Sequence, residues 1–167
     1  RHGGFIKVES EPGAGSSFSV FLPATSKPLR SEDGNIEKKH HGTGIFVLMD
    51  DQEIIRLTTG KMLESLGYSV VSKTDGASVL KYLENCSENI TGMIFDLTIP
   101  GGMGGLETVS KIRETGKKIP VFVSSGYAND PVMADPGKYG FTASIAKPFT
   151  RDELLKMLNL YMPDKKD

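Results

Sequence analysis

From residue 44 onward, short apolar runs alternate with stretches whose apolar positions recur every three to four residues. Ile45-Phe46-Val47-Leu48-Met49 is a continuous apolar run, the pattern of a strand covered on both faces. Ile54, Leu57, Met62, Leu63 and Leu66 follow at near-helical spacing and Gly67 closes the segment, which predicts an amphipathic helix with these side chains inward. The rhythm continues with a strand over 68–72 and a helix over 76–83, whose apolar positions are Ala77, Val79, Leu80 and Leu83. A strand over 93–95, a helix within 106–112 and a strand over 121–123, behind the breaker Pro120, come next. A short helix over 131–138, a strand over 141–146 and a last helix over 152–161, with Leu154, Leu155, Leu158 and Tyr161 inward, complete the series. Five strands alternating with five helices imply an α/β fold, one parallel sheet with helices on both faces. Sites in such sheets form beyond the carboxyl ends of the strands, where the strand order reverses.

Residues 1–43 have a different character. Phe5-Ile6-Lys7-Val8-Glu9 and Phe18-Ser19-Val20-Phe21-Leu22 are strand-like, and the turn-forming run from Ser10 to Ser17 joins them as a β-hairpin, ended by Pro23. A lone hairpin is marginal in water, so this piece is expected to need partners. Residues 24–43 are rich in Ser, Lys, Glu, Gly and His without apolar periodicity, as expected of a solvated linker. His40 and His41 fall inside it and read as inert. The opening at Arg1 reads as a cut through a longer protein.

Composition narrows the function. Lys and Arg number 20 against 21 Asp and Glu, a formal net charge of -1, so no global basic field points to nucleic acid. The apolar runs are too short to span a bilayer, so no membrane contact by this chain is expected. The single cysteine, Cys86, excludes an internal disulfide framework and fits a reducing, cytoplasmic setting; it reads as a small residue on a helix face.

The strand ends carry the chemistry. The first ends in Asp50-Asp51, the third in Asp96, the fourth in Ser124-Ser125-Gly126 and the fifth in Lys147-Pro148. One aspartate at a strand end is commonly a cap or turn former, but that reading must account for each strand end separately. Three converging carboxylates repel unless a cation lies between them, and oxygen ligands of this kind suit Mg²⁺. The carboxylate of Asp96 can attack phosphorus to give an aspartyl phosphate. Phosphoryl transfer needs positioning and charge neutralisation more than covalent help; Lys147 supplies charge and the Ser125 hydroxyl a donor.

Residues 44–161 resemble the receiver domain of bacterial two-component response regulators. The matching motifs are Asp50-Asp51, Phe95-Asp96-Leu97-Thr98-Ile99-Pro100, Ser125-Gly126 and Lys147-Pro148-Phe149, and their spacings agree as well. The resemblance implies a flavodoxin-like doubly wound sheet of order 2-1-3-4-5, with the receiver over 44–163. It makes Asp96 the phosphoacceptor, with Asp51 binding Mg²⁺ directly, Asp50 mostly through water, and the Thr98 backbone carbonyl as a further ligand. Ser125 takes the place of the switch hydroxyl, Ser124 being the poorer candidate by register. Lys147 would pair with Asp96 or its phosphate, before a cis bond to Pro148. The implied partners are a phosphohistidine of a histidine kinase domain, in cis or in trans, and a downstream histidine phosphotransfer protein. Ser144 stands where many receivers carry an aromatic switch residue, so a different output surface is expected. The glycine-rich loop from Pro100 to Gly105 is expected to be mobile.

Residues 1–23 resemble the closing strands of a histidine-kinase ATP-binding domain, through Gly3 to Ser10, Gly13 to Phe18 and Phe21-Leu22-Pro23. Together the two pieces resemble the tail of a hybrid sensor histidine kinase, whose earlier ATP-site elements this sequence lacks. Two other readings compete. A haloacid-dehalogenase-like phosphatase also forms an aspartyl phosphate, but wants its nucleophile after the first strand and a second Asp two residues later, where this chain has Thr98. A flavin-binding protein wants a phosphate loop after the first strand, where Asp50-Asp51-Gln52-Glu53 would repel phosphate.

Overall fold

The computed structural model describes residues 3–24, 42–127 and 129–162. The chain divides into two compact units, Arg1–Glu37 and Lys38–Asp167. In the first, β1 (Phe5–Glu11) and β2 (Gly15–Phe21) form the expected antiparallel hairpin, in register from Phe5 opposite Phe21 to Glu11 opposite Gly15. Gly13 and Gly15 take positive φ in its turn, which costs glycine nothing. Phe5 stacks on Phe21 at 4.6 Å between ring centroids, yet Phe5, Ile6, Val8, Phe18, Val20, Phe21 and Leu22 are all exposed. The linker expected over 24–43, with His40 and His41, falls almost wholly outside the described residues.

The second unit is built from β3 (Ile45–Met49), α1 (Glu53–Ser65), β4 (Ser69–Lys73), α2 (Gly76–Asn85), β5 (Ile90–Asp96), α3 (Gly105–Glu114), β6 (Val121–Ser125), α4 (Pro131–Ala134), a 3₁₀ turn (Pro136–Tyr139), β7 (Ala143–Ala146) and α5 (Arg151–Tyr161). The sheet is parallel throughout, in the order β4-β3-β5-β6-β7. Counted within the five, that is the 2-1-3-4-5 order of a flavodoxin-like fold. Successive strand residues point to opposite faces, and the core divides accordingly. Val47, Met49, Met93, Phe95, Val121 and Val123 pack with residues of α2 and α3, including Val79, Leu83, Val109 and Ile112. Phe46, Leu48, Ile94 and Phe122 pack with Leu63, Leu154, Leu155 and Leu158 of α1 and α5. The order reverses between β3 and β5, and the site lies there.

Four details depart from expectation. The fourth helix is not continuous over 131–138: α4 ends at Ala134 and a 3₁₀ turn starts at Pro136, because proline has no N–H to continue the ladder. Asp130 and Asp135 cap the two pieces through their carboxylates. On α1, Ile54 and Leu57 point outward, 66% and 54% exposed. Leu63 and Leu66 are buried as expected, and Thr59 and Gly60 complete the inward face. Tyr161 lies edge-on to Phe122 but is largely exposed. Lastly, the loop from Pro100 to Gly105, expected to be mobile from its glycines, carries backbone hydrogen bonds. Met103 O accepts from Gly76 N at 2.8 Å, Leu97 O from Gly105 N at 3.1 Å and Ile99 O from Gly102 N at 3.2 Å.

Candidate functional site

The carboxyl ends of β3, β5, β6 and β7 meet at one edge of the sheet. Asp50 follows the last residue of β3 and is 1% exposed, its N–H bonded to Lys73 O at 3.2 Å. One carboxylate oxygen, Oδ1, accepts from Gln52 N at 3.0 Å and the other, Oδ2, from Lys147 Nζ at 2.5 Å. Asp96 is the last residue of β5, paired with Ser124 in the ladder and 7% exposed. Lys147 Nζ reaches its Oδ2 at 3.0 Å. One mostly buried ammonium thus serves two buried carboxylates from neighbouring strands. Asp51 is exposed beside them, and carboxylate oxygens of all three aspartates lie within 4.8 Å of one another.

The electrostatics follow from this crowding. Burial pushes the Asp96 carboxyl above the ordinary carboxylate value; Lys147 and the N–H of Thr98 pull it down, while the nearby Asp50 charge pushes it further up. Three carboxylates against the Lys147 ammonium and, on the main chain behind them, the Arg56 guanidinium leave the hollow net negative. A divalent cation fits that deficit, and the all-oxygen donor set suits a hard ion.

The hollow has a volume of about 580 Å³ and is lined by Asp51, Asp96, Thr98, Ser125 and Lys147 among others. Ser125 faces it, with Oγ accepting from Tyr127 N at 3.1 Å, whereas Ser124 is buried and does not line it. The Lys147–Pro148 peptide is cis, as the resemblance implied. Gly104 and Gly105 make the approach of α3 possible: a Cβ there would fall 2.5 Å from Leu97 O and 2.6 Å from Asp96 O. Every residue singled out from the strand ends is therefore brought together, Ser124 excepted. Ser144 is set apart, its Oγ donating to Met133 O of α4 at 2.8 Å.

Sequence reasoning missed Arg56. Its Nη1 donates to Asp50 O at 2.7 Å and Asp51 O at 2.9 Å. The available signal was a cation five residues after an acidic pair, at the end of the first turn of α1.

Residues 46–159 match the response regulator receiver domain family. The chain belongs to that family. Sensor kinase CckA of Brucella abortus is 28% identical over 164 residues, covering 91% of this chain and 17% of that protein. The CAI-1 autoinducer sensor kinase/phosphatase CqsS of Vibrio cholerae is 37% identical over 123 residues, 72% of this chain and 17% of that protein. The chain thus spans about a sixth of the length of these relatives. Among solved structures, the receiver domain of a Pseudomonas aeruginosa sensor histidine kinase, with a magnesium ion coordinated in its active site cleft, superposes with a TM-score of 0.62 at 24% identity. It covers 72% of this chain and 98% of that one. Among the described residues of this receiver, no helix is long and apolar enough to cross a membrane.

Proposed function

We propose that this receiver accepts a phosphoryl group on Asp96 from a phosphohistidine and that the charge change switches its surface. The observation that carries the reading is Lys147, bound to Asp50 and Asp96 together at the edge of a hollow that Asp51 completes. An Asp96 carboxylate oxygen attacks phosphorus, the P–N bond to the donor imidazole breaks, and the released nitrogen keeps the electron pair and takes up a proton. Asp50, Asp51, Asp96 and the Thr98 carbonyl would hold Mg²⁺, which when bound neutralises charge on the phosphoryl oxygens. Lys147 then pairs with the phosphoryl group, and Ser125 exchanges its bond from Tyr127 N for one in which its hydroxyl donates to a phosphoryl oxygen. Moving Ser125 pulls on the segment before α4, biasing a pre-existing equilibrium.

The donor's approach is suggested by α1, where the outward Ile54 and Leu57 lie beside Thr58 and Met62, which line the hollow. We read the whole protein as a hybrid sensor histidine kinase, with residues 1–23 the end of its ATP-binding domain. In support, the Brucella kinase match covers 91% of the chain, which extends it beyond the receiver into that segment. A donor charged from ATP places the receiver in the cytoplasm, and a histidine phosphotransfer protein is the natural recipient. Incubation with a phosphorylated histidine kinase domain and Mg²⁺ should label the wild type but not Asp96→Ala. Equal labelling of the two proteins sinks the assignment. Segment 126–134 should also change its amide exchange on adding beryllofluoride; no change there removes the switching step.

A further inference from the structure

Arg56 has no part in the chemistry assigned above, yet it touches the backbone of both acidic residues at the end of β3. The last bond of the ladder here is Asp50 N to Lys73 O, so the carbonyls of Asp50 and Asp51 need donors from elsewhere. The N–H of Gln52 is already committed to Asp50 Oδ1. A single guanidinium nitrogen supplies both carbonyls, at 2.7 and 2.9 Å, and charge-assisted bonds of this length are about twice as strong as neutral ones. The location is otherwise unfavourable, because a cation near a helix N-terminus opposes the helix dipole. The two bonds offset that.

The two cations of the site divide the work. Lys147 occupies carboxylate oxygens of Asp50 and Asp96. Among the described residues Arg56 binds main-chain oxygens, so it adds positive charge under the acidic pair without blocking a carboxylate. Holding two consecutive carbonyls fixes two consecutive peptide planes, and with them the directions in which the Asp50 and Asp51 side chains leave the backbone.

We infer that Arg56 is a positioning residue that presets the Asp50-Asp51 turn so that both carboxylates reach the divalent cation together. The inference rests on the receiver reading of the site and deepens it. Partners that orient a ligand typically contribute 10–100-fold to metal affinity, and a main-chain anchor belongs at the lower end of that range.

The test compares wild type with Arg56→Met, which keeps the stem and removes the donors. Mg²⁺ binding, followed by amide chemical shifts, should weaken about 10-fold. The ratio should persist at about 0.5 M salt, where the screening length falls to roughly 4 Å. Without metal, in EDTA, the Gln52 amide should exchange faster in the variant, because its bond to Asp50 Oδ1 depends on the same turn. Wild-type binding with an unchanged Arg56→Met affinity overturns the inference, as does tighter binding in the variant that fades toward the wild-type value in high salt, which marks through-space repulsion of the cation by the guanidinium and no positioning. A loss of stability with unchanged affinity and Gln52 exchange also overturns it, since the residue is then only structural. Failure of the wild type itself to bind Mg²⁺ indicts the receiver reading instead. If Arg56→Met does not fold, Arg56→Gln, with a shorter amide donor, takes its place with the same outcomes.

Discussion

Replacing Asp96 by Asn should make the metal-free protein more stable while weakening its response to Mg²⁺. Two unit charges about 4.8 Å apart at an effective dielectric of about 20 repel by about 3.5 kcal/mol, and a pair 3.0 Å apart attracts by about 5.5 kcal/mol. Asp96 lies within the first separation of Asp50 and Asp51, so that each repulsion is at least of this size before screening, and at the second from Lys147. Asp51 is exposed, so water screens its share, and the Coulomb contributions come close to cancelling. Burial then decides the sign, in agreement with the upward push on the Asp96 carboxyl. Asparagine still accepts from Lys147 and from Thr98 N–H, so the change removes a crowded charge while leaving acceptors in place. We expect a gain of about 1 kcal/mol in urea unfolding in EDTA. With Mg²⁺ added the order should shrink or reverse, because ligand binding stabilises in proportion to RT ln(1 + [L]/Kd) and the variant lacks one anionic ligand. An Asp96→Asn protein that loses more than about 1 kcal/mol in EDTA, or gains from Mg²⁺ as much as the wild type, refutes the account of the hollow as a charge-crowded cation site.

Gly105→Ala would place a methyl group against Asp96 O at 2.6 Å; equilibrium unfolding should show a loss of about 1–3 kcal/mol, together with slower phosphorylation by a small phosphodonor. Asp75 caps α2 by accepting from Ser78 N at 2.8 Å, and that bond holds its carboxyl below the ordinary value. Asp75→Ala should therefore cost about 1 kcal/mol at pH 7. Because the native pKa is the lower one, this contribution is complete above the unfolded value and fades as pH falls through the folded one. Unfolding curves of the two proteins should converge in acid, and a constant difference contradicts the charged cap. Polar substitution of the exposed pair Ile54 and Leu57 should leave stability within about 0.5 kcal/mol. It should slow phosphotransfer from a histidine kinase domain but not from acetyl phosphate; equal slowing with both donors removes α1 from the donor's path.

Much of this was legible in the sequence because parallel strands buried on both faces announce themselves as unbroken apolar runs, as 45–49 does. The site was legible because the residues after those runs are chemically conspicuous: Asp50, Asp51, Asp96 and Lys147 are charges at the ends of oily segments. What stayed hidden depends on three-dimensional approach. The spacing of Ile54 and Leu57 fits a helix, but only the packing of Thr59, Gly60 and Leu63 shows which face turns inward. Loop mobility was inferred from glycine content, whereas Gly104 and Gly105 are small because α3 crowds against Leu97 O and Asp96 O. Arg56 escaped because a cation five residues after the acidic pair reads as an ordinary surface charge until its donation to the Asp50 and Asp51 carbonyls is seen.

The shortness of α4 has a consequence of its own. Four residues cannot sustain a helix unaided, since nucleation is unfavourable and few backbone bonds repay it. Pro131–Ala134 is held by the Asp130 carboxylate at its head, by the Ser144 hydroxyl on Met133 O and by the burial of Val132 and Met133 in the core. An element with so few polar links can lose its backbone bonds while Val132 and Met133 stay in the core. News of the event at Asp96 would then leave this receiver as a local loss of order, read by whatever surface tells a folded turn from a melted one.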